Sequence, residues 1–226
     1  MERWEELKNK IIEWGGSDVG FSRVEDFLPE SHKHLKWAVT VVFHLSDQIM
    51  DDISDGPTLA YFHHYQTANA LLDHIALRAS SLIQEWGYRA MPVPASQIID
   101  SKESIGFFQH KTAATRAGLG WIGKSALLVT KKFGPRVRLA TILTDMPLPE
   151  GTPVEESGCG SCMVCVKSCP AGAIKGENWF PGIERSRLFD HEACSACMKE
   201  KFGHISPGKV CGICASRCPR GRIHKR

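Results

Sequence analysis

The sequence predicts an α+β chain in two parts, a mixed helix-and-strand domain over residues 1–150 and a small cysteine-bearing domain over residues 151–226. Three observations predict this. Helical and strand periodicities alternate through the first part. From Asp145 to Gly158 the composition turns to Pro, Gly and Glu, and Pro147, Pro149 and Pro153 oppose regular structure, which places the boundary there. All nine cysteines lie at or beyond Cys159.

Taken in order, Trp4, Leu7, Ile11 and Trp14 recur at helical spacing and Gly15-Gly16 supplies a stop. Trp37–Phe43 is short, β-branched and apolar on both faces, as an interior strand should be, with Val19-Gly20-Phe21 a shorter strand beside it. After the Asp55-Gly56-Pro57 turn, Phe62, Tyr65, Ala68, Leu72, Ile75, Ala79, Leu82 and Trp86 step by three and four, so a long helix runs to Gly87. His63, His64 and His74 lie off this stripe and read as solvated side chains, not ligands. A strand around Arg89–Val93 and a helix from about Phe108 to Gly118 come next. Ala126–Thr130 and Val137–Leu143 then read as a hairpin about a Lys-Lys-Phe-Gly-Pro turn. Lys131, Lys132, Arg136 and Arg138 around that turn suit an acidic partner, a phosphate backbone or plain solvent.

With 226 residues, 42% of them hydrophobic, the chain can bury a sizeable core. A net charge of +3 does not by itself indicate nucleic-acid binding, although Arg217, Arg220, Arg222, Lys225 and Arg226 make the C-terminal end basic. The first residues carry no signal pattern, and no apolar run approaches the ~20 residues needed to span a bilayer, so a cytoplasmic protein without membrane contact is expected. In that reducing compartment an odd number of cysteines reads as metal ligands, not disulfides.

The cysteine spacing is specific. Cys159-Gly-Ser-Cys162-Met-Val-Cys165-Val-Lys-Ser-Cys169-Pro170 has the bacterial ferredoxin spacing, in which three thiolates hold one iron-sulfur cube and the fourth reaches a neighbouring one. Cys211-Gly-Ile-Cys214-Ala-Ser-Arg-Cys218-Pro219 repeats the last three cysteines and the proline, with Gly208 where the first would stand. By the same rule one [4Fe-4S] cluster takes Cys159, Cys162, Cys165 and Cys218. The other takes Cys211, Cys214, Cys169 and either Cys194 or Cys197. The competing reading is a pair of all-thiolate zinc sites. Two clusters make a short electron wire, and its acceptor is expected in the first domain.

Ala117-Gly-Leu-Gly-Trp-Ile-Gly-Lys124, then Leu127-Leu128, the Gly134 turn, Thr144-Asp145 and Cys159-Gly160 through Cys169-Pro-Ala-Gly-Ala-Ile174 resemble the epoxyqueuosine reductases, most strongly from His110 to Ile174. The resemblance implies a cobalamin-binding α/β domain, akin to reductive dehalogenases and distantly to flavin nitroreductases, fused to a ferredoxin-like domain with two [4Fe-4S] clusters. It implies that electrons pass through the clusters to cobalamin and reduce an epoxide on a tRNA wobble nucleoside to an alkene. A ferredoxin or flavodoxin donor and a tRNA partner follow from it, and a homodimer follows from scaffold analogy.

Gly118, Gly120, Trp121, Gly123 and Lys124 are then implied to line the cofactor site, the glycines admitting a large planar ligand and Lys124 meeting an anionic group. A helix cap at Gly118 and a turn into the next strand is the alternative. Asp100, in Asp100-Ser101-Lys102-Glu103, takes the place of the family's catalytic acid, although the family's proline is missing there. The family's Cys-Ile-Ser-Tyr falls on Cys194-Ser-Ala-Cys197, with Asp190 four residues earlier, which makes Cys194 the ligand and Cys197 the spare. Gly212 stands where the family has Asp. The sequence ends seven residues after Pro219, so the helical-repeat tail that many members carry for tRNA contact is not expected. The alternative function is an electron-transfer or corrinoid-activating protein acting on a partner protein.

Overall fold

The computed structural model describes residues 2–96, 106–205 and 210–221. In chain order the helices and strands are α1 (Arg3–Glu13), β1 (Asp18–Arg23), β2 (Trp37–His44), α2 (Asp47–Asp52), α3 (Leu59–Glu85), β3 (Ala90–Val93), α4 (His110–Arg116), β4 (Gly120–Ile122), β5 (Leu128–Thr130), β6 (Val137–Thr144), α5 (Val164–Ser168), α6 (Arg185–Leu188), α7 (His191–Phe202) and α8 (Ile213–Ser216). The architecture is mixed α and β. No helix among the described residues is long and apolar enough to cross a membrane.

The chain forms two compact units, each assembled from separate segments. The first comprises Met1–His44, Thr67–Leu119 and Arg138–Val154, and the second comprises Leu45–Gln66, Gly120–Val137 and Glu155–Arg226. The last switch between them, after Val154, lies in the proline-rich stretch. Residues 45–66 and 120–137 join the cysteine-bearing part, whereas composition alone divides the chain once, at 150/151.

The first unit is built on a sheet of order β1-β2-β6-β3, with β1 antiparallel to β2 and β3 antiparallel to β6. Because side chains alternate across a strand, β2 and β6 supply both faces. Val39 and Val41 of β2 and Ala140 and Ile142 of β6 pack with Leu7 and Ile11 of α1 and Leu72, Ile75, Ala79 and Ile83 of α3. Ala38 and Leu143 face the other way, into a second cluster with Val24, Leu28, Leu35, Val93, Phe108 and Ala113. A strand apolar on both faces is therefore buried on both, as its composition requires.

Local signals set the helix ends. Glu2 and Glu5 make a reciprocal capping box on α1, and Gly15, at φ +108°, follows its end. Thr58 starts α3, its hydroxyl accepting from the Tyr61 N–H at 3.1 Å. Beyond α4, Gly118 at φ +75° lets the Leu119 N–H reach back to the Ala114 carbonyl at 3.1 Å.

The expected hairpin is not formed. Leu128–Thr130 pairs with Gly120–Ile122 in a separate two-stranded sheet, while Val137–Thr144 is a strand of the four-stranded sheet. The turn that follows β5 closes on itself instead, with the Gly134 N–H on the Thr130 carbonyl and the Thr130 hydroxyl on the Gly134 carbonyl. Each run is apolar enough to be a strand, and period-2 patterning does not choose a strand's neighbour.

Candidate metal centre

The second unit carries every cysteine. Two short helices repeat one device. Cys165 lies on α5 and Cys169 follows its end, while Cys214 lies on α8 and Cys218 follows one residue later. Each trailing cysteine precedes a proline, which cannot extend the helix and turns the chain away. Cys159 and Cys162 occupy the turn before α5, closed by the Cys162 N–H on the Cys159 carbonyl at 3.1 Å. Cys194 and Cys197 stand three residues apart on α7, on one face, and Asp190 caps that helix by accepting from the Ala193 N–H at 2.9 Å.

The thiols sort by which of them act on one another. Burial first, then Cys159, Cys218 and Cys162, push the Cys165 thiol up to about 11. Burial raises Cys218 as well, with Cys159 and Cys162 adding to it and the Arg220 and Gly221 N–H groups opposing it. In the other set burial and then Cys211, Cys169, Cys197 and Asp190 push Cys194 up to about 11. Burial also raises Cys214, which senses Cys211 and Cys194 before Cys165 and Cys169. Cys211 is raised by burial, with Cys197 and Cys169 beyond it and the Ile213 N–H opposing. Thiols crowded out of water in this way resist ionisation until a cation joins them. The one link from Cys214 to Cys165 marks the sets as adjacent.

The surroundings suit sulfur ligands to iron. The backbone N–H groups of Val166, Ile213, Arg220 and Gly221 donate to Cys165, Cys211 and Cys218, and the Trp121 indole N–H donates to Cys159 Sγ at 3.5 Å. Donors of this kind hold thiolates and set cluster potentials. Among the described residues no group of three or more His, Cys, Asp or Glu side chains is gathered tightly enough to hold one metal ion.

The residues nominated beside the cysteines fall into two places. A Cβ on Gly118 would stand 2.6 Å from the Thr152 carbonyl oxygen, and one on Gly120 would stand 2.1 Å from that of Val129. The space their missing side chains leave is filled by the chain's own backbone, a turn and a strand pairing, which is why each position needs glycine. Trp121, Gly123 and Lys124 face the first cysteine run: a Cβ on Gly123 would come 3.5 Å from Cys159 Sγ, and Lys124 Nζ lies 3.5 Å from Met163 Sδ. Asp100 lies outside the described residues.

Arg136 and Arg138 are not docking groups. Arg136 is 2% exposed, with Nη1 3.1 Å from Asp47 Oδ1, Nη2 2.6 Å from Asp51 Oδ1, and Nη2 donating to the Ser216 carbonyl at 3.3 Å. Arg138 donates to Asn69 Oδ1 and the Ala95 carbonyl. Both belong to strand-side polar networks, whereas Lys131 and Lys132 are exposed. The missed signal was the acidic pair Asp47 and Asp51, one helical turn apart on α2 and far from Arg136 in sequence. His64 is also held, accepting from the Ser46 N–H at 3.0 Å.

Fold and thiols together define a mixed α/β protein whose second unit carries two neighbouring groups of thiols, Cys159, Cys162, Cys165 and Cys218 in one and Cys169, Cys194, Cys197, Cys211 and Cys214 in the other. Its relatives in sequence are epoxyqueuosine reductases. The enzyme of Listeria monocytogenes is 32% identical over 157 residues, 68% of this chain and 38% of its own length. That of Aliivibrio fischeri is 33% identical over 142 residues, 62% of this chain and 35% of its own. The chain thus spans well under half the length of these relatives. No family model matches. Among solved structures, a reductive dehalogenase described as B12-dependent superposes with a TM-score of 0.77 at 20% identity, covering 97% of this chain and 32% of that one. An epoxyqueuosine reductase solved with an epoxyqueuosine-modified tRNA stem loop gives 0.65 at 18% identity, covering 96% and 64%.

Proposed function

We propose that the chain is an iron-sulfur oxidoreductase of the epoxyqueuosine reductase kind, relaying single electrons through two [4Fe-4S] clusters. The observation that carries this reading is the crossed sorting of the thiols, in which Cys218 joins Cys159, Cys162 and Cys165 while Cys169 joins Cys194, Cys197, Cys211 and Cys214; the choice of Cys194 over Cys197 comes from the family resemblance. Each set of four would hold one cube, with Cys197 spare. Sequence likeness to epoxyqueuosine reductases supports an epoxide-bearing tRNA nucleoside as substrate. Likeness of fold to a B12-dependent dehalogenase supports a corrinoid as electron acceptor.

The clusters, when bound, supply one-electron reduction, and a corrinoid would supply the reductive step at the substrate. The chain's own part is to hold eight thiolates and to donate the backbone and indole N–H groups to sulfurs among them. Asp100 is proposed as the proton donor, from the resemblance alone.

Anaerobic reconstitution with iron and sulfide tests the reading. About eight irons per chain, a brown absorbance near roughly 400 nm and two reducible centres are expected. A corrinoid should then change the visible spectrum on binding, and an epoxyqueuosine-containing tRNA stem loop should be converted to the alkene. A colourless protein that binds one or two zinc ions would overturn it.

A further inference from the structure

Lys124 is 4% exposed, and among the described residues its ammonium has one hydrogen-bond partner, the Met163 thioether at 3.5 Å. An ammonium carries three donors, and a thioether is a weak acceptor. An interior charge met so poorly is costly unless a negative group stands beside it. Three observations say where that group belongs. Met163 lies inside the first ligand run, directly after Cys162. Gly123, the neighbour of Lys124, lies beside the same run: a Cβ there would stand 2.8 Å from Val129 Cγ2 and 3.5 Å from Cys159 Sγ. The Trp121 indole donates to that same sulfur. Arg220 adds a second cation, its guanidinium 5.8 Å from the Trp121 ring and donating to the Gly158 carbonyl at 3.2 Å.

A cube held by four thiolates is net negative and becomes more so on reduction, so a cation at this place stabilises the reduced form. The second set has no matching buried ammonium among the described residues. The Asp190 carboxylate, 3.8 Å from Lys175 at the surface, acts on Cys194 of that set, and the buried Arg136 guanidinium spends its donors on Asp47, Asp51 and the Ser216 carbonyl.

We propose that Lys124 sets the potential of the cluster held by Cys159, Cys162, Cys165 and Cys218. With the clusters bound, its buried ammonium would hold that cluster's potential above its neighbour's, so that a single electron given to the pair would be held there, with no bond made or broken. Lys124 is a positioning residue for charge, acting through the cluster. The inference rests on the two-cluster reading and adds an order to the wire.

The test is a potentiometric titration of the anaerobically reconstituted full chain, with dithionite as reductant and electron paramagnetic resonance as readout. Wild type should reduce in two steps. Lys124→Met should lower the ratio of reduced to oxidised first cluster at least about tenfold at a fixed poise, a shift of about 59 mV for a one-electron couple. The lower step should stay in place, and Lys124→Arg should restore the upper one. Full iron and sulfide content with both steps unmoved, or with both moved together, would overturn the inference and leave the two-cluster reading standing. Failure of wild type to assemble two clusters would overturn both. If the Met variant does not assemble, wild-type protein labelled with [15N]lysine decides: nitrogen coupling to one reduced cluster supports the proposal, and its absence sinks it.

Discussion

Gly212 shows how a single position departs from the family it resembles at a locally crowded place. Its φ is +81°, and a Cβ there would stand 2.5 Å from Ile53 Cδ1 and 2.8 Å from the Tyr61 hydroxyl. The aspartate that the resemblance places here would meet the left-handed backbone at some strain and would need Ile53 and Tyr61 to shift. Gly212→Asp should therefore destabilise the protein by about 2 kcal/mol or more, since strain and overpacking each cost on the order of 1–3. Urea unfolding would measure it, and a neutral effect would show that Ile53 and Tyr61 yield freely. Arg136 poses the opposite problem, a buried charge whose Nη groups are paired with the half-buried Asp47 and the exposed Asp51 while its Nε stays without a partner among the described residues. Arg136→Met keeps the length and removes the charge, so it should cost about 1 kcal/mol. Asp47→Asn with Asp51→Asn strands the guanidinium and should cost about 3 or more. Equal costs would mean that packing, not charge, fixes this residue.

His110 gives a pH dependence. Its Nε2–H donates to the Pro94 carbonyl at 3.0 Å, and the Thr141 hydroxyl sits 2.7 Å from Nδ1 and serves as donor to the neutral ring. Burial, with the Arg138 and Lys111 charges secondary, pushes its pKa from 6.5 to about 4. The unfolded chain then binds a proton that the folded chain refuses. Stability should be complete above pH 6.5 and fall as the pH drops toward about 4. The loss is at most about 3 kcal/mol, and less because the side chain keeps some solvent contact. His110→Gln should flatten that slope in unfolding measured from pH 7.5 to 4.5; an unchanged slope would assign it to other groups.

At the scale of an element, α7 carries two thiols one turn apart, and its cap decides which way the helix starts. Cys194→Ser should cost about half the bound iron and one of the two reducible steps, whereas Cys197→Ser should leave both, as iron analysis and electron paramagnetic resonance would show. Loss of iron in the Cys197 variant would exchange the roles. Asp190→Ala removes the N-cap and should cost about 1 kcal/mol. The helices and interior strands were legible from periodicity: Leu72, Ile75, Ala79 and Ile83 stay on one face of α3 because 3.6 residues make a turn, whatever else the chain does. The partner of Leu128–Thr130 was not legible. Two apolar runs with a Gly-Pro turn between them satisfy the rules for a hairpin, and only the competition for sheet edges sends one to β4 and the other between β2 and β3.

Across the whole molecule, metal and fold are coupled, because Cys165, Cys194, Cys211, Cys214 and Cys218, whose thiols partial burial pushes up, resist ionisation until iron joins them. Removing iron with a chelator under anaerobic conditions should lower the thermal midpoint of the second unit and leave the first near its original value. A single transition, unmoved by iron loss, would count against clusters as part of the fold.

The sequence by itself determined which residues carry chemistry, since cysteine spacing and proline placement are local and survive any folding of the rest. It also determined the helices and the strands apolar on both faces, since these follow from period. The tertiary structure alone decided what those residues touch. The backbone came to fill the space beside Gly118 and Gly120, and Arg136 was drawn inward by acids more than 80 residues away in the chain. Lys124 was turned from a nominated ligand contact into a buried cation beside the first cysteine run. Burial and proximity between distant residues are properties of the packed chain, and no window of sequence contains them.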